Sequence, residues 1–265
     1  MSAVTQSKPL SGKVSLVTGS SRGIGAAIAL HLASLGSDIV INYVASRSAA
    51  EEVAKKARDL GVKAITVQAD VTKTEALSTM FATAKAELGH LDIVMSNSGI
   101  EHFGNVGEVS EDEIDRVLSV NVKAQYLVAQ QSYKHLADNG RLILTSSISA
   151  VMGIPNHALY AASKAGIMGM VKCLAWDFGK RHITVNCVAP GGVKTDMYAD
   201  AAAKYIPGGD KLSIEEIDER VGRMSPLGRP GLPDDIAGIV GLLASPEAQW
   251  ITGQTMHASG GAHMG

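Results

Sequence analysis

Strand-like and helix-like segments alternate along almost the whole chain. The strand-like segments are short runs rich in β-branched residues: KVSLVTG, SDIVINY, KAITVQAD, LDIVMSNSG, RLILTSS, HITVNCVAP and GQTMHAS. Several are apolar almost without interruption, which is typical of strands that helices cover on both faces. Helical patterns occupy residues near 23–35, 47–60, 73–88, 121–137, 158–180 and 233–244. The alternation predicts an α/β fold: a single-domain, Rossmann-type, doubly wound parallel sheet of about seven strands with helices on both faces.

The length and the absence of repeats or low-complexity linkers indicate one folded domain. We expect residues 1–10 to form a flexible N-terminal lead and residues 11–265 to form the domain. The stretch 196–226 breaks the alternation with turn signals around one short helix, predicted to begin near Ser213. Ligands of open α/β sheets bind beyond the carboxyl ends of the strands, so we interpret 196–226 as an insertion covering the substrate. The alternative is that residues 196–226 form a surface loop that does not cover the substrate.

Composition excludes several classes of partner. The formal net charge is −2 with no block of like charge, so no nucleic-acid or anionic-membrane partner is expected.

The N-terminus lacks a signal-peptide pattern, and we expect a cytoplasmic protein. Cys173 and Cys187 fall in a predicted helix and strand, where buried reduced thiols are favoured. No Cys/His cluster has metal-ligand spacing, so no metal site is expected.

The segment VSLVTGSSRGIGAAIALHLASLG runs from the first strand into an Ala-rich helix through three glycines. Gly19 permits a tight turn, Gly23 lets the backbone approach a pyrophosphate, and Gly25 allows close packing of helix and sheet. The N-terminus of the helix offers free N–H groups to the phosphates. The order of these features predicts dinucleotide binding, with a purely structural turn as the alternative.

The end of the second strand, INYVASRS, bears on which dinucleotide binds. Asn42 stands where an NAD-binding protein usually carries an acid, so a 2′-phosphate meets no repulsion there. Arg22, with Tyr43, Ser46 and with less weight Arg47, offers positive charge and hydroxyl donors to that phosphate. We therefore predict NADPH/NADP+ as the cofactor. The alternative is that both arginines are ordinary surface charges.

Two further strand ends carry polar or small residues that suit the same crevice. Asp70 can accept a hydrogen bond from an adenine amino group, and the segment SNSG places Gly99 beside the expected cofactor path. The carboxyl ends of parallel strands meet at one edge of a sheet, so these residues are expected to line one crevice.

The segment HALYAASKAGI places Tyr160 and Lys164 one turn apart on one face of a predicted helix. A free tyrosine has a pKa of roughly 10, and a nearby ammonium is expected to lower it, making Tyr160 a general acid or base. Ser146 and Ser147 end the preceding strand, where a hydroxyl could bind a substrate carbonyl oxygen. The alternative is a packed tyrosine with Lys164 extending to water. Asn121 opens a predicted helix, and both N-capping and catalysis remain open for it.

In order over nearly the whole chain, seven motifs resemble the short-chain dehydrogenase/reductase family: TGSSRGIG, ADV, SNSG in place of NNAG, NV, LTSS, YAASK and APGGVKT. The resemblance implies a catalytic tetrad of Asn121, Ser147, Tyr160 and Lys164. Ser147 is preferred to Ser146 because it lies thirteen residues before Tyr160, a usual family spacing. In that family the tyrosine protonates the carbonyl oxygen while nicotinamide delivers hydride, and the serine orients the substrate. The lysine holds the nicotinamide ribose and lowers the tyrosine pKa, and the asparagine holds a water that links the lysine to solvent.

The family resemblance also implies the cofactor site and the assembly. The residues after the sixth strand would contact the nicotinamide half of the cofactor. A homotetramer would form through the helices around 121–137 and 158–180, the second of which is apolar or small on nearly every side. The full set implied to bind cofactor is Gly19, Ser21, Arg22, Gly23, Ile24, Gly25, Asn42, Tyr43, Ser46, Asp70, Val71, Asn97, Gly99, Tyr160, Lys164, Pro190, Gly191, Val193 and Thr195.

Within this family the chain is most similar to fungal reductases of polyhydroxylated aromatic polyketides, which act on hydroxynaphthalenes, versicolorin or anthrols. The segments that carry this similarity are INY, LDIVMSNSGIEHFG, GRLILTSS, HALY, ITVNCVAPGGVKTDMY, KYIPGG, SPLGR and GGAHM. It implies NADPH-dependent reduction of a keto tautomer of a small aromatic polyketide. General carbonyl reduction of an oxoacyl carrier protein or a steroid is the alternative, and NADPH sensing without turnover is a second. Besides Ser147 and Tyr160, the implied substrate contacts are Met197, Tyr205, Met224 and Met264, and His102 and His157 are further candidates that the likeness does not imply.

Some of these positions have a second interpretation. The methionines could simply fill the core. Glu101 and His102 are ionisable where a naphthol reductase usually has small or apolar residues, and they could meet additional phenols of a larger ring system. A helix-start position could equally leave His157 exposed to water.

Overall fold

The computed structural model describes residues 8–195, 198–206 and 208–265. Seven parallel strands form one sheet in the order β3-β2-β1-β4-β5-β6-β7, and helices lie on both faces, which confirms the predicted fold class. The strands are β1 (Val14–Val17), β2 (Asp38–Tyr43), β3 (Ala64–Gln68), β4 (Ile93–Ser96), β5 (Arg141–Thr145), β6 (Thr184–Pro190) and β7 (Thr255–Ala258). The helices are α1 (Gly23–Ser34), α2 (Arg47–Asp59), α3 (Thr74–Leu88), α4 (Glu111–Leu118), α5 (Ala124–His135), α6 (Ala158–Gly179), α7 (Tyr198–Tyr205), α8 (Ile214–Arg223) and α9 (Pro233–Ala244).

The sheet separates two apolar layers, because successive strand residues point to opposite faces. Val17 and Ile39 pack on one face with residues of α1, α2 and α9. Leu16 and Val40 pack on the other face with residues of α3, α5 and α6. Most strand residues are therefore buried from both sides, as the near-continuous apolar runs in the sequence predict. Polar residues and glycines are found instead at the carboxyl ends of the strands.

The helix predicted over 121–137 begins earlier than expected. Ser110 caps α4, accepting a hydrogen bond from the backbone of Glu113 while the Glu113 carboxylate accepts from the Ser110 N–H. The chain then passes through a widened, π-type turn at Ser119–Lys123 and continues as α5. Asn121 lies inside this continuous helical segment, so its interpretation as an N-cap is wrong. The Ser-x-x-Glu pattern was the signal for the earlier start.

The insertion contains two helices where the sequence indicated one. The predicted helix is α8, which Ser213 caps, and α7 was not predicted. Met197, implied to face substrate, lies outside the described residues, as do residues 1–7 of the predicted lead. Leu10, also in that lead, is buried in the core, and its N–H donates to the carbonyl of Leu35 at 2.9 Å.

The two cysteines differ in their surroundings. Cys187 is buried in β6 as predicted, but Cys173 is exposed on α6, so the prediction of two buried thiols is wrong for Cys173. Apolar residues stand on nearly every side of α6, so its sequence does not indicate which side meets the core. Among the described residues, no His, Cys, Asp or Glu side chains form a group suited to a metal ion. In the same part of the chain, every helix is too short or too polar to cross a membrane.

Candidate active site

Two asparagines hold the glycine loop between β1 and α1. Asn42 Oδ1 accepts from the Gly19 N–H at 3.0 Å, and Asn97 Nδ2 donates to the Gly19 carbonyl at 3.3 Å. Gly19 has a φ of +61°, which favours glycine. A Cβ at Gly25 would lie 2.4 Å from the Gly19 carbonyl oxygen, so that position needs glycine for space. The loop is thus fixed in a shape that brings α1 close to the sheet.

The first turn of α1 is open to an anion. Arg22 precedes the helix in an extended conformation, and its side chain makes no capping hydrogen bond. The backbone N–H groups of the first turn, which begins at Gly23, have no acceptors within the helix. The methyl group of Thr195 lies 3.7 Å from the position of a Cβ at Gly23, so the loop after β6 faces the glycine loop across a narrow cleft. This arrangement fits the pyrophosphate of a dinucleotide.

Asn42 itself turns away from that cleft. Its side chain is fully buried, and Nδ2 donates to the carbonyls of Ala69 at 3.0 Å and Val67 at 3.3 Å. The structure therefore places Asn42 as a support for Gly19. Its neighbour Tyr43 is also buried. Of the predicted cofactor residues beside the strand end, Arg22, Ser46 and Arg47 are exposed.

Other predicted cofactor residues line the same edge of the sheet. Asp70 follows β3, and its Oδ1 accepts from the N–H and hydroxyl of Thr72 at 2.9 and 2.7 Å. Gly191 follows β6, and its N–H donates to the Ala258 carbonyl at 3.0 Å. Val193 pairs with Gly231 in an isolated parallel bridge. The remaining predicted positions on these loops are Ser21, Ile24, Val71 and Pro190, which adjoin residues already placed.

Tyr160 and Lys164 lie together on α6, as predicted. Lys164 Nζ is 5.6 Å from the centroid of the Tyr160 ring and donates to the Thr145 carbonyl at 3.2 Å. Gly99 leaves room for this ammonium, because a Cβ there would lie 3.2 Å from Nζ and 3.3 Å from Asn121 Oδ1. The tyrosine, the lysine and the end of β4 therefore meet at one point.

Burial controls the titration of this pair. It lowers the pKa of Lys164 to about 8, although the Glu101 carboxylate opposes the shift. It raises the pKa of Tyr160 well above the ordinary value, Glu101 raises it further, and a hydrogen bond with Ser147 opposes the change. The expectation of a Tyr160 pKa below its ordinary value is therefore not met in the protein without ligand, because desolvation is the largest cause and raises it. A protonated tyrosine suits the role of a proton donor.

The two candidate serines have different surroundings. Ser146 is buried, and its hydroxyl donates to the Lys164 carbonyl at 2.8 Å. Ser147 has a hydroxyl that accepts from the Ser149 N–H at 3.1 Å and takes part in the hydrogen bond with Tyr160. Ser146 thus anchors α6 to the end of β5, whereas Ser147 faces the tyrosine.

Asn121 joins the loop after β4 to α6. Its Oδ1 accepts from the Ile100 N–H at 2.8 Å, and its Nδ2 donates to the Ile100 carbonyl at 2.8 Å and to Ser163 Oγ at 3.1 Å. The widened turn around Asn121 positions this side chain toward the loop, and such turns are frequent at functional sites. Sequence reasoning missed Ser163 as its partner, although Ser163 lies within the YAASK motif.

Thr145 and Gln125 also support the site, and sequence reasoning missed both. Gln125 Oε1 accepts from the Thr145 N–H at 2.9 Å, and its Nε2 donates to the Thr145 carbonyl at 2.8 Å. The same carbonyl receives the Lys164 ammonium. A glutamine one turn beyond Asn121 on a helix was the available signal, but only the folded chain shows what it binds.

An aromatic group covers the tyrosine. The His157 ring lies 4.6 Å from the Tyr160 ring and 4.2 Å from the Phe103 ring, centroid to centroid. The Tyr205 ring, from α7, stands edge-on to Phe103 at 4.9 Å. His157 is buried, which rules out the interpretation of an exposed helix-start histidine, and burial lowers its pKa to about 4. Sequence reasoning did not identify Phe103 as a site residue, because only its neighbours Glu101 and His102 carry ionisable groups.

The other predicted substrate residues are less closely placed. His102 is buried, and its carbonyl accepts a hydrogen bond from His157 Nδ1 at 2.9 Å. The backbone of His102 therefore holds the His157 ring in the aromatic group. Neither ring nitrogen of His102 has a hydrogen-bond partner among the described residues. Met224 and Met264 are exposed. The interpretation of these two methionines as core filling is therefore wrong.

Comparisons with known proteins agree with this geometry. Residues 19–263 match the family model described as enoyl-(acyl carrier protein) reductase. A short-chain dehydrogenase from Burkholderia cenocepacia, solved in complex with NADP, is 37% identical with a TM-score of 0.86, covering 96% of this chain and 99% of that chain. The chain belongs to the short-chain dehydrogenase/reductase family. The resemblance predicted from the sequence is thus confirmed, and the chain is an oxidoreductase of this family.

Two curated relatives of this short-chain reductase have more specific names. A versicolorin reductase of Emericella nidulans is 49% identical over 254 residues, which are 96% of each chain. A hydroxynaphthalene reductase-like protein of Metarhizium brunneum is 48% identical over 257 residues, again 96% of each chain. Both names fall within the group of fungal reductases that the sequence resembles.

Lys164→Met is expected to stabilise the ligand-free protein. Folding lowers the pKa of Lys164 from 10.5 to about 8. Burial of the ammonium therefore destabilises the folded protein, and this free-energy cost is fully present below pH 8 and disappears as the pH rises through 10.5. At neutral pH we expect a gain of about 1–3 kcal/mol in the free energy of unfolding, given about 1.4 kcal/mol per pKa unit and loss of one hydrogen bond. Urea denaturation between pH 7 and 11 measures it.

The matched control is Lys172→Met, which removes an exposed ammonium from the same helix. It should change stability by less than about 0.5 kcal/mol at every pH. A Lys164→Met variant that is less stable than the wild type at neutral pH would contradict the assignment of a buried, destabilising charge.

Proposed function

We propose that this protein is an NADPH-dependent reductase of a keto tautomer of a polyhydroxylated aromatic polyketide, such as an anthrol or a hydroxynaphthalene, in secondary metabolism. The observation that carries the proposal is the aromatic group of Phe103, His157 and Tyr205 beside the tyrosine. Aromatic side chains pack well against flat ring systems. The names of the two fungal relatives support the same substrate class.

The proposed chemistry needs a ketone, which a polyphenol provides by tautomerisation. Bound NADPH supplies hydride to the carbonyl carbon. Ser147 holds the carbonyl oxygen, and Tyr160 Oη donates its proton to that oxygen as negative charge develops there. The raised pKa of Tyr160 keeps this proton available at neutral pH. Lys164 lies beside the ring to stabilise the tyrosinate that remains, and Asn121 holds the loop after β4 in place.

The insertion is proposed to cover the bound ring. Tyr205, at the end of α7, reaches the residue that precedes α6, because its hydroxyl lies 3.1 Å from His157 Nε2. A segment that reaches across the carboxyl edge of the sheet excludes water from the site of proton transfer. This contact supports the interpretation of 196–226 as a cover within one domain of residues 11–265.

The test of the proposed function is reduction of a tetrahydroxynaphthalene and of emodin hydroquinone, followed as NADPH oxidation. Wild-type protein should turn over at least one of them, and Tyr160→Phe should lower kcat by about 100- to 10,000-fold because it removes the proton donor. The affinity of the variant for NADPH should change far less than kcat, because the Tyr160 hydroxyl is only one of many implied cofactor contacts. No turnover of either aromatic substrate, with reduction of a 3-oxoacyl thioester or steroid ketone, would replace this proposal by general carbonyl reduction.

For the cofactor, we propose that Arg22 and Ser46 bind the 2′-phosphate of NADPH. Both are exposed beside the end of β2, where Asn42 brings no negative charge. The relative from Burkholderia cenocepacia was solved in complex with NADP, which supports the same choice here.

Arg22→Ala is expected to raise the KM for NADPH by about 10- to 100-fold, as loss of a charge-assisted hydrogen bond does, and to leave the KM for NADH nearly unchanged. Steady-state kinetics with both cofactors measure the change. Lys56→Ala removes an exposed positive charge from the neighbouring α2 and should leave the ratio of the two KM values as it is. Equal effects of Arg22→Ala on NADPH and NADH would show that Arg22 does not recognise the phosphate.

We also propose that the protein is a homotetramer that buries parts of α5 and α6. Trp176 on α6 is 87% exposed, and Tyr126 and Tyr133 on α5 are about half exposed nearby. Exposed aromatic residues grouped in this way are typical of interfaces. Light scattering should show a tetramer for the wild type and smaller species for Trp176→Glu, because the charge would be buried unpaired. Trp176→Phe should remain tetrameric, and a monomeric wild type would refute the assembly.

A further inference from the structure

Three polar side chains meet at the edge of the aromatic group and form what we call the mouth triad: Glu101, His157 and Tyr205. The hydroxyl of Tyr205 contacts Glu101 Oε1 and lies 3.1 Å from His157 Nε2. Glu101 Oε1 and His157 Nε2 are 3.8 Å apart. The three residues come from the loop after β4, the residue before α6 and the end of α7, so the triad joins the insertion to the body of the fold.

When Glu101 is ionised, the side chains of the mouth triad are one donor short, and only the partly exposed Glu101 can accept from water instead. His157 Nδ1 lies 2.9 Å from the His102 carbonyl, which can only accept, so Nδ1 carries the hydrogen. The buried imidazole is neutral, and its Nε2 is therefore an acceptor. An ionised Glu101 is also only an acceptor. Tyr205 has a single O–H and can satisfy one of these two neighbours, which leaves the other without a donor.

The surroundings of the triad do not supply the missing proton to Glu101 or His157. Ser149 forms a hydrogen bond with Tyr205, and this does not give a donor to either acceptor. Lys164 and Lys204 lower the pKa of Glu101, but burial, the larger effect, raises it. Within the described residues, neither lysine forms a hydrogen bond or ion pair with the Glu101 carboxylate.

The position of the triad relative to Tyr160 indicates what kind of ligand group could supply the donor. The His157 ring lies against the Tyr160 ring at 4.6 Å, so a flat molecule with its keto oxygen at Tyr160 extends past His157 toward Glu101. A hydroxyl on the far part of such a molecule brings the missing donor. An ether oxygen at the same place brings none, and a phenolate or carboxylate is repelled by Glu101.

We propose that the mouth triad recognises a second, hydroxyl-bearing part of the substrate, whose O–H donates to Glu101 or to His157 while Tyr205 donates to the other. Glu101 is then a specificity-determining residue for neutral hydroxyaryl compounds over their O-methyl ethers. The inference rests on the proposed function in assuming that the keto group lies at Tyr160.

Glu101→Gln tests the proton count directly. The amide has nearly the shape of the carboxylate but carries N–H donors. It can donate to the Tyr205 hydroxyl, which then donates to His157, so the triad is satisfied without a ligand. Glu108→Gln is the matched control, because it removes the same charge from an exposed position on the same loop.

The experiment measures binding of 1,3,8-trihydroxyanthraquinone and of its tri-O-methyl ether to the protein with NADP+ bound, at about pH 7, well above the ordinary pKa of a glutamate and low enough to limit ionisation of the phenols. The oxidised cofactor prevents turnover, so Kd is read alone. Wild type and Glu108→Gln should prefer the hydroxylated ligand by about 10- to 100-fold, the effect of one hydrogen bond to a charged group. Glu101→Gln should bind the two ligands within about threefold of each other.

The inference is overturned if Glu101→Gln keeps the wild-type preference, if wild type shows no preference, or if wild type binds neither ligand. These results are distinguishable from failure of the proposed function. That failure appears as absence of NADPH oxidation with keto substrates, whereas the ratio of Kd values needs no turnover.

Discussion

The buried ammonium of Lys164 is the constraint around which the site is built. Lys164 is a residue of α6, and its ammonium donates to the Thr145 carbonyl, which also accepts from Gln125. Gly99 has no side chain at the point where a Cβ would approach the ammonium. The ends of β4 and β5 and the helices α5 and α6 must therefore keep their relative positions for the charge to be accommodated. A buried charge held by so few groups reduces stability, and that cost is typical of functional sites.

The fold could be predicted from the sequence because its signals are local and repeated. Each strand carries a β-branched apolar run, and every strand but the last is followed by a helical pattern, so seven strands and a parallel order follow from the same rule. The glycine loop could be predicted for the same reason, since Gly19 and Gly25 act on their own turn. The sequence failed where two patterns overlapped: the capping signal at Ser110 preceded a helix that seemed to begin at Asn121.

The candidate site could be predicted only in part, because residue type does not report burial. The ammonium of Lys164 was expected to bring the Tyr160 pKa below its ordinary value, but Lys164 is buried, Tyr160 is half-buried, and desolvation is the largest cause of the pKa shift of each. His157 looked equally compatible with an exposed position, yet Phe103 and Tyr160 enclose its ring. The contact between Phe103 and His157 joins residues more than fifty positions apart, and no local pattern contains it.

Glu101 links the two ends of the site. After burial, its carboxylate is the next largest cause that raises the pKa of Tyr160, and it also opposes the lowering of the Lys164 pKa. An apolar residue at this position would interact with neither. A carboxylate at the mouth of an aromatic pocket costs desolvation free energy, as the raised pKa of Glu101 shows. The contact of Glu101 with Tyr205 connects the electrostatic surroundings of Tyr160 and Lys164 to α7 in the insertion.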